Sequence, residues 1–358
     1  MLLLHCLISV LLSGARAQDF CNVQGRFVEE LSNAIDQNNQ EVSGLTLNSA
    51  KTNFFTISDS PEGDPLIFVS ANTQTPTSTA TIKITGIANT GFNNGYGDWE
   101  SIVSYPCSTK PGRNCILVGD IGHNKVRNKG GSLRTDSQSV RFIEVEEPDA
   151  SELSSGQVLE KPGKEYRFSY PGGRLFDAEA MVVKNDRLFV VTKNSASYEY
   201  SHMFEVPELE TGVELVERAI FHVRYSEVTG AASSPGYLIL RTYIGLNFYR
   251  WDALCDNDVR KSKVYQKIEY LERGHGMQES IEYDSGSQFL YLLGEGSSTL
   301  NRMRCSPAAS PTLSPAFGAR CLDDFGGLAS MTMVSFGRQL KLCPFCRVTL
   351  LFVAWWFV

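Results

Sequence analysis

From Leu45 to Glu295 the chain alternates short β-branched and aromatic runs with clusters of Gly, Asn, Ser, Asp and Pro. NFFTIS, PLIFVSA, CILVGDI, RLFVVTK, YLILRTY and FLYLLGE are each six or seven residues long. Runs of that length, rich in Val, Ile, Phe and Tyr and bounded by turn residues, predict strands. Few stretches support a helix beyond two turns, the clearest being Phe27, Leu31, Ala34 and Ile35 at helical spacing. The expected class is all-β, which argues against a doubly wound sheet with its intervening helices.

The runs fall into units. Ser43-Gly44-Leu45, Trp99-Glu100-Ser101-Ile102, Ala178-Glu179-Ala180-Met181, Thr229-Gly230-Ala231 and Glu279-Ser280-Ile281 each open a unit. A turn follows, then a strongly apolar strand ending in a polar loop, then a strand with an aromatic residue. Successive openings lie about 50 to 80 residues apart, somewhat longer than typical propeller blades and far longer than β-solenoid repeats. One such small sheet cannot bury both its faces, whereas blades stacked around an axis can. The expected architecture is a single, disulfide-containing β-propeller of five or six blades. Six is favoured because the two termini could complete a sixth beyond the five visible units.

With 358 residues, 42% of them hydrophobic, the chain can fill a sizeable core. Its formal charge of −7 excludes a generally basic surface for nucleic acid. The first residues, LLLHCLISVLLSGARAQ, end an apolar stretch in Ala15-Arg16-Ala17, the small-x-small pattern of a signal-peptidase site, so residues 1–17 read as a signal peptide and the protein as secreted. Residues 18–42 then form an N-terminal segment with the possible helix, 43–325 the propeller, and 326–358 a linker and apolar tail. That tail, Val348 to Val358, is too short to span a bilayer. It has two readings, a GPI-type signal with attachment near Ser335 to Gly337, or an end without function. No Asn-x-Ser/Thr sequon occurs.

Removing Cys6 with the signal leaves eight cysteines, an even count that reads as disulfides in an exported chain. Cys107 and Cys115 flank the turn-rich STKPGRN and are expected to staple a hairpin. Cys305 and Cys321 bracket a Pro/Ser/Ala loop and are expected to close it, leaving Cys21 for Cys255 by elimination. Cys343-Pro-Phe-Cys346 has metal or redox spacing, but with no second such pair or nearby histidine the site lacks partners.

GDWESIV, CILVGDIGHN, FDAEAMVV, LRTY and ESIEYD…LYLLGEG resemble, in order and spacing, blocks of a poorly characterised family of secreted β-propeller proteins, itself distantly similar to phytase-like and esterase-like propellers. The resemblance runs from about Ser43 to Met303 and implies fold more than function. The chain departs from the family pattern at Ser101 and His123, where the family tends to carry a second acid, and at Pro235-Gly236, where an Asp is missing.

In a propeller, equivalent positions of successive blades converge at one end of the channel. Asp98, Glu100, Asp177, Glu179 and Glu279 recur at such positions, Asp120 and Glu295 follow the strong strands, and Asn124 shares the Asp120 turn. Two accounts of these acids stand. An oxygen-rich ring suits a hard cation such as calcium, which takes six to eight oxygens. Alternatively, the carboxylates accept backbone N–H bonds between blades and close the ring without metal. Trp99 and Trp251 read as core between blades. His123 and His275 are the histidines placed for general-base work, outside any Gly-x-Ser-x-Gly or His-Glu-x-x-His motif. Lys125, Arg127, Lys129 and Arg134 give a basic loop beside the acidic turn.

The favoured function is a non-enzymatic extracellular protein that uses a propeller face to bind calcium, matrix or a partner, with matrix or a small acidic or phosphorylated ligand as the partner expected and a calcium-rich or mineralised matrix as a setting. The alternative is a metal-dependent phosphoester or ester hydrolase of propeller type, an analogy of fold.

Overall fold

The computed structural model describes residues 21, 29–31, 41–59, 64–71, 78–88, 97–123, 139–154, 156–193, 200–223, 227–251, 254, 266–269, 278–294 and 300–305. All lie in the first of two compact units, Met1–Ser314. Among the described residues, twenty strands make three antiparallel four-stranded sheets and one eight-stranded sheet that is two four-stranded blades joined by a parallel pair. Blade 1 is β2 (Val42–Leu47), β3 (Asn53–Ser58), β4 (Leu66–Ala71) and β5 (Ser78–Thr85). Blade 2 is β6 (Trp99–Pro106), β7 (Asn114–Asp120), β8 (Ser139–Glu146) and β9 (Gln157–Ser169). Blade 3 is β10 (Ala178–Lys184), β11 (Arg187–Thr192), β12 (Tyr200–Val206) and β13 (Val216–His222). Blade 4 is β14 (Val228–Ser233), β15 (Tyr237–Thr242), β16 (Gly245–Arg250) and β17 (Gln266–Glu269). Blade 5 is β18 (Gln278–Asp284), β19 (Phe289–Gly294), β20 (Leu300–Arg304) and, from the other end of the chain, β1 (Glu29–Leu31).

The innermost strands close a circle. β2 packs on β6, β6 on β10, β10 on β14, β14 on β18, and β18 back on β2. This is a five-bladed propeller. Each hub strand is covered on both faces, which is why VSGLTL and VTGAAS read as continuous apolar or small runs rather than alternating ones. The core lies between blades, in five clusters. Trp99 and Ile102 meet Phe55, Ile57 and Ile82 between blades 1 and 2. Met181 and Phe204 meet Phe142 and Phe168 between blades 2 and 3. Trp251 and Tyr249 join Phe221 between blades 3 and 4, Phe248 joins Leu290 between 4 and 5, and Phe54 meets Tyr291 between 5 and 1. Both tryptophans thus occupy the inter-blade positions expected of them. Blades 1 and 2 also join at their outer edges, where the first half of the thirteen-residue β9 pairs parallel with β5.

Three sequence expectations are corrected at the ends of the chain. Among the described residues the ring closes with five blades, the lower of the two numbers expected and not the favoured six: β1 pairs antiparallel with β20, so the termini complete the fifth. Glu29–Leu31, inside the segment given helical spacing, is that strand, because pairing with an open sheet edge satisfies its backbone groups. Cys21 lies opposite Cys305 and is bonded to it, so the expected Cys21–Cys255 and Cys305–Cys321 pairings do not form. Cys255 and Cys321 lie outside the described residues. Cys107–Cys115 forms as expected, across the β6–β7 hairpin.

The Cys21–Cys305 bond closes a loop of 284 residues. Long loops lose the most chain entropy when cross-linked. Replacing both cysteines by serine should cost about 2–4 kcal/mol, read as a lower denaturation midpoint. The Cys107–Cys115 pair, only eight residues apart, should matter less.

Candidate cation site at the hub

Each of the five hub strands carries the same irregularity near its start. The pairing register slips by one residue between Val42 and Gly44, Trp99 and Ser101, Ala178 and Ala180, Val228 and Gly230, and Gln278 and Ser280. The extra residues are Ser43, Glu100, Glu179, Thr229 and Glu279. A bulge leaves its extra residue unpaired and re-aims its side chain. Here five bulges at one level of a closed ring bring together residues that lie 236 positions apart at the extremes, Ser43 and Glu279. Ser43, Glu100, Glu179 and Glu279 line a central cavity of about 340 Å³, and Thr229 at the fifth bulge is fully buried.

The residue after each bulge is small: Gly44, Ser101, Ala180, Gly230 and Ser280. The narrow hub requires it. A Cβ on Gly230 would lie 2.8 Å from the Glu279 carbonyl oxygen of the next blade. At Ser101 the side chain uses the proximity, its Oγ accepting the Met181 N–H at 2.8 Å. Two residues before the bulge stand Glu41, Asp98, Asp177 and Glu227, an acid in four blades of five. The hub strands therefore open acid, any residue, oxygen-bearing residue, small, apolar, in blades 1 to 4.

The carboxylates differ in what holds them. Ser43 Oγ donates to Glu100 Oε2 at 2.8 Å, linking neighbours in the ring. Burial drives the Glu100 carboxyl well above the usual carboxylate range, and the charges of Glu179, Asp98 and Asp59 push it further, with Lys193 opposing. Glu179 is pushed up by burial against the pull of Lys193, and the charges of Asp177 and Glu279 add to the rise. The three hub carboxylates thus feel one another electrostatically. Lys193 Nζ lies 2.5 Å from Glu179 Oε1, the two side chains being 7% and 2% exposed. Burial works against the Lys193 ammonium, but Glu179, Tyr243 and Asp177 hold it protonated far up its range. Tyr243, whose ring lies 5.9 Å from that ammonium, has its phenol raised by burial and by Glu279.

The remaining sequence candidates form the surrounding frame. Asp120 ends β7 and is almost fully buried. Its Oδ2 meets Arg141 Nε at 2.7 Å and its Oδ1 accepts the Asp98 N–H at 2.8 Å. Asp177 Oδ1 accepts the His123 N–H at 2.6 Å, tying blade 3 to the loop of blade 2. The Gly119-Asp120-Ile121-Gly122 block wraps the hub acids: a Cβ on Gly122 would lie 2.5 Å from Glu100 Oε1 and 2.7 Å from Asp98. Asn124, Glu295, His275, the basic loop from Lys125 to Arg134, and Cys343 and Cys346 lie outside the described residues. Among the described residues, the trio whose potential ligand atoms all fall within 4.8 Å of one another is Cys107, Cys115 and Glu144, and its sulfurs are joined in the disulfide. The hub carboxylates stand farther apart, around the cavity.

Ser43, Thr229, Lys193, Tyr243 and Arg141 were missed as site residues by sequence reasoning. A signal was present for the first two, which head their units in register with Glu100, Glu179 and Glu279. Hydroxyls simply do not stand out as acids do.

No family model and no curated protein matches the sequence. Among solved structures the chain is similar to Myxococcus xanthus glutaminyl cyclase, with 10% identity, 78% of this chain and 96% of that one covered, and a TM-score of 0.42. It is also similar to the gluconolactonase XC5397 of Xanthomonas campestris (11%, 74% and 72%, 0.40) and to the β-propeller domain of Myceliophteria thermophila Cps50 (Swd1) (9%, 74% and 84%, 0.37). At such scores these likenesses carry no argument about activity; the closed circle of hub strands is what defines the fold.

Proposed function

We propose that this protein is an extracellular cation-binding propeller whose hub holds a divalent cation, calcium by its ligand chemistry. The observation that carries the reading is the set of five equivalent bulges, which present one hydroxyl and three carboxylates to a single cavity. Calcium takes six to eight hard oxygens from flexible carboxylates, hydroxyl or carbonyl groups and water. A cavity wider than a preformed metal cage suits an ion that keeps some of its water. Mutual repulsion and burial, which push Glu100 and Glu179 up, are the costs that a bound dication would offset. The disulfides Cys21–Cys305 and Cys107–Cys115 support an oxidising compartment, and with the leader-like first residues they support secretion.

The structural account of the acids fits the frame better than the hub. Asp120 and Asp177 each accept a backbone N–H, as that account requires, whereas Glu100 takes a side-chain hydroxyl and stands among like charges.

Isothermal titration of the purified protein with calcium chloride, after chelation, tests the reading. One site per chain with a calcium-dependent rise in melting temperature is expected, by mass action on the folded state. No heat and no thermal shift at millimolar calcium would end it. Turnover of phosphoester or ester substrates by the calcium-loaded protein would replace binding alone with the hydrolase alternative.

A further inference from the structure

The ring of carboxylates contains a cation of its own. Lys193 stands one residue beyond β11, at the position Asp59 holds beyond β3 and Tyr243 beyond β15. Only the blade 3 position carries a base among the described ones. Its ammonium is buried against Glu179, and its backbone N–H donates to the Asp177 carbonyl at 2.8 Å, which fixes where the side chain starts. Beside Glu279, Ser280 lines the cavity, and its enclosed Oγ has no hydrogen-bond partner.

We propose that Lys193 is the charge-setting residue of the hub: it stays paired with Glu179 Oε1 and reduces the three negative charges of Glu100, Glu179 and Glu279 to two, which narrows the hub's preference for a trication over a dication. The inference rests on the cation-binding reading above. Its physical basis is charge matching. The energy of an ion in the ring scales with its own charge times the net charge it meets. A fixed ammonium at the ring therefore weakens every cation, and weakens a trication half again as much as a dication on a logarithmic scale. Lysine suits this role, since its compact charge on a four-carbon stem reaches the carboxylate and leaves the second oxygen of Glu179 available. The acids outside the ring, Asp59, Asp98 and Asp177, are the same in every variant and so leave the ratio of the two changes unaltered.

The test uses the full chain and two probe ions, calcium and terbium(III), titrated by calorimetry into wild type, Lys193→Met and Lys193→Arg. With the methionine variant, calcium should bind about tenfold more tightly and terbium about thirtyfold, the ratio following ionic charge. The arginine variant, which keeps the charge, should match wild type within about threefold. Unchanged or weaker binding by a folded methionine variant would overturn the proposal. So would equal tightening of both ions, which is the signature of relieved crowding rather than charge. If the methionine variant melts below assay temperature, Lys193→Gln carries the same comparison, with the same outcomes. Failure of wild type itself to bind calcium would instead remove the underlying reading.

Discussion

Replacing Asp120 by alanine is expected to destabilise the folded protein by about 3 kcal/mol, without requiring any loss of cation sites in the ring. The side chains of Asp120 and Arg141 are 1% and 2% exposed, so their ion pair is sealed in blade 2. Removing one partner of a buried pair leaves the other charge uncompensated, typically at about 3–5 kcal/mol. The lower end applies because Arg141 keeps Glu165 at 3.3 Å and the Ala88 carbonyl at 3.0 Å. The substitution also strips the Asp98 N–H of its acceptor, and unmade buried hydrogen bonds cost about 1–3 kcal/mol. Asp120→Asn keeps that acceptor while losing the charge, so it should fall between wild type and alanine. Urea denaturation with an unchanged m-value would show a stability effect alone. An alanine variant as stable as wild type would mean that Arg141 is not left uncompensated when Asp120 is removed.

The contrast between Asp120 and the hub glutamates shows what was legible in the sequence and what was not. The repeat could be read because it is local: each hub strand opens with an oxygen-bearing residue, a small residue and an apolar one, and closure of blades around a narrow axis demands that small residue. The all-β class and the hairpin staple at Cys107 and Cys115 were legible for the same reason. The number of blades was not, because it depends on where three residues, Glu29–Leu31, find a sheet edge nearly the whole chain away. Cys305 went to Cys21 rather than to its sequence neighbour by the same long-range event. Nor could sequence separate Asp120 from Glu100. Both acids border apolar strands, and only packing reveals that Arg141, twenty-one residues on, stands beside the first while the charges of Glu179, Asp98 and Asp59, opposed by Lys193, act on the second. The bulges were invisible too, since a register slip belongs to a pair of strands and not to either strand alone.

The second large effect is expected at Glu100, where glutamine should weaken calcium binding about a hundredfold, or about 2.7 kcal/mol, and yet leave the cation-free protein as stable as wild type or more so at pH 8. Glutamine keeps the shape and an oxygen to accept from Ser43 Oγ, so the frame is preserved. It removes one of three ring charges, and with it a strong calcium ligand. The sign of the stability change follows from the raised carboxyl. A group whose folded pKa lies above its unfolded one favours the fold below the ordinary carboxylate range, and that contribution is lost as pH rises through the raised value. The cation-free wild type should therefore gain stability on mild acidification from pH 8, as far as Glu100 governs it, and the glutamine variant should show less of that gain. Calcium reverses the dependence, since the ion binds the ionised carboxylate and protons compete with it. Thermal melts at pH 5.5 and pH 8, with chelator and with calcium, separate the four cases. Retained calcium affinity together with a lowered melting temperature in chelator would place Glu100 in the frame with Asp120, and the hub would then be a structural ring rather than a cation site.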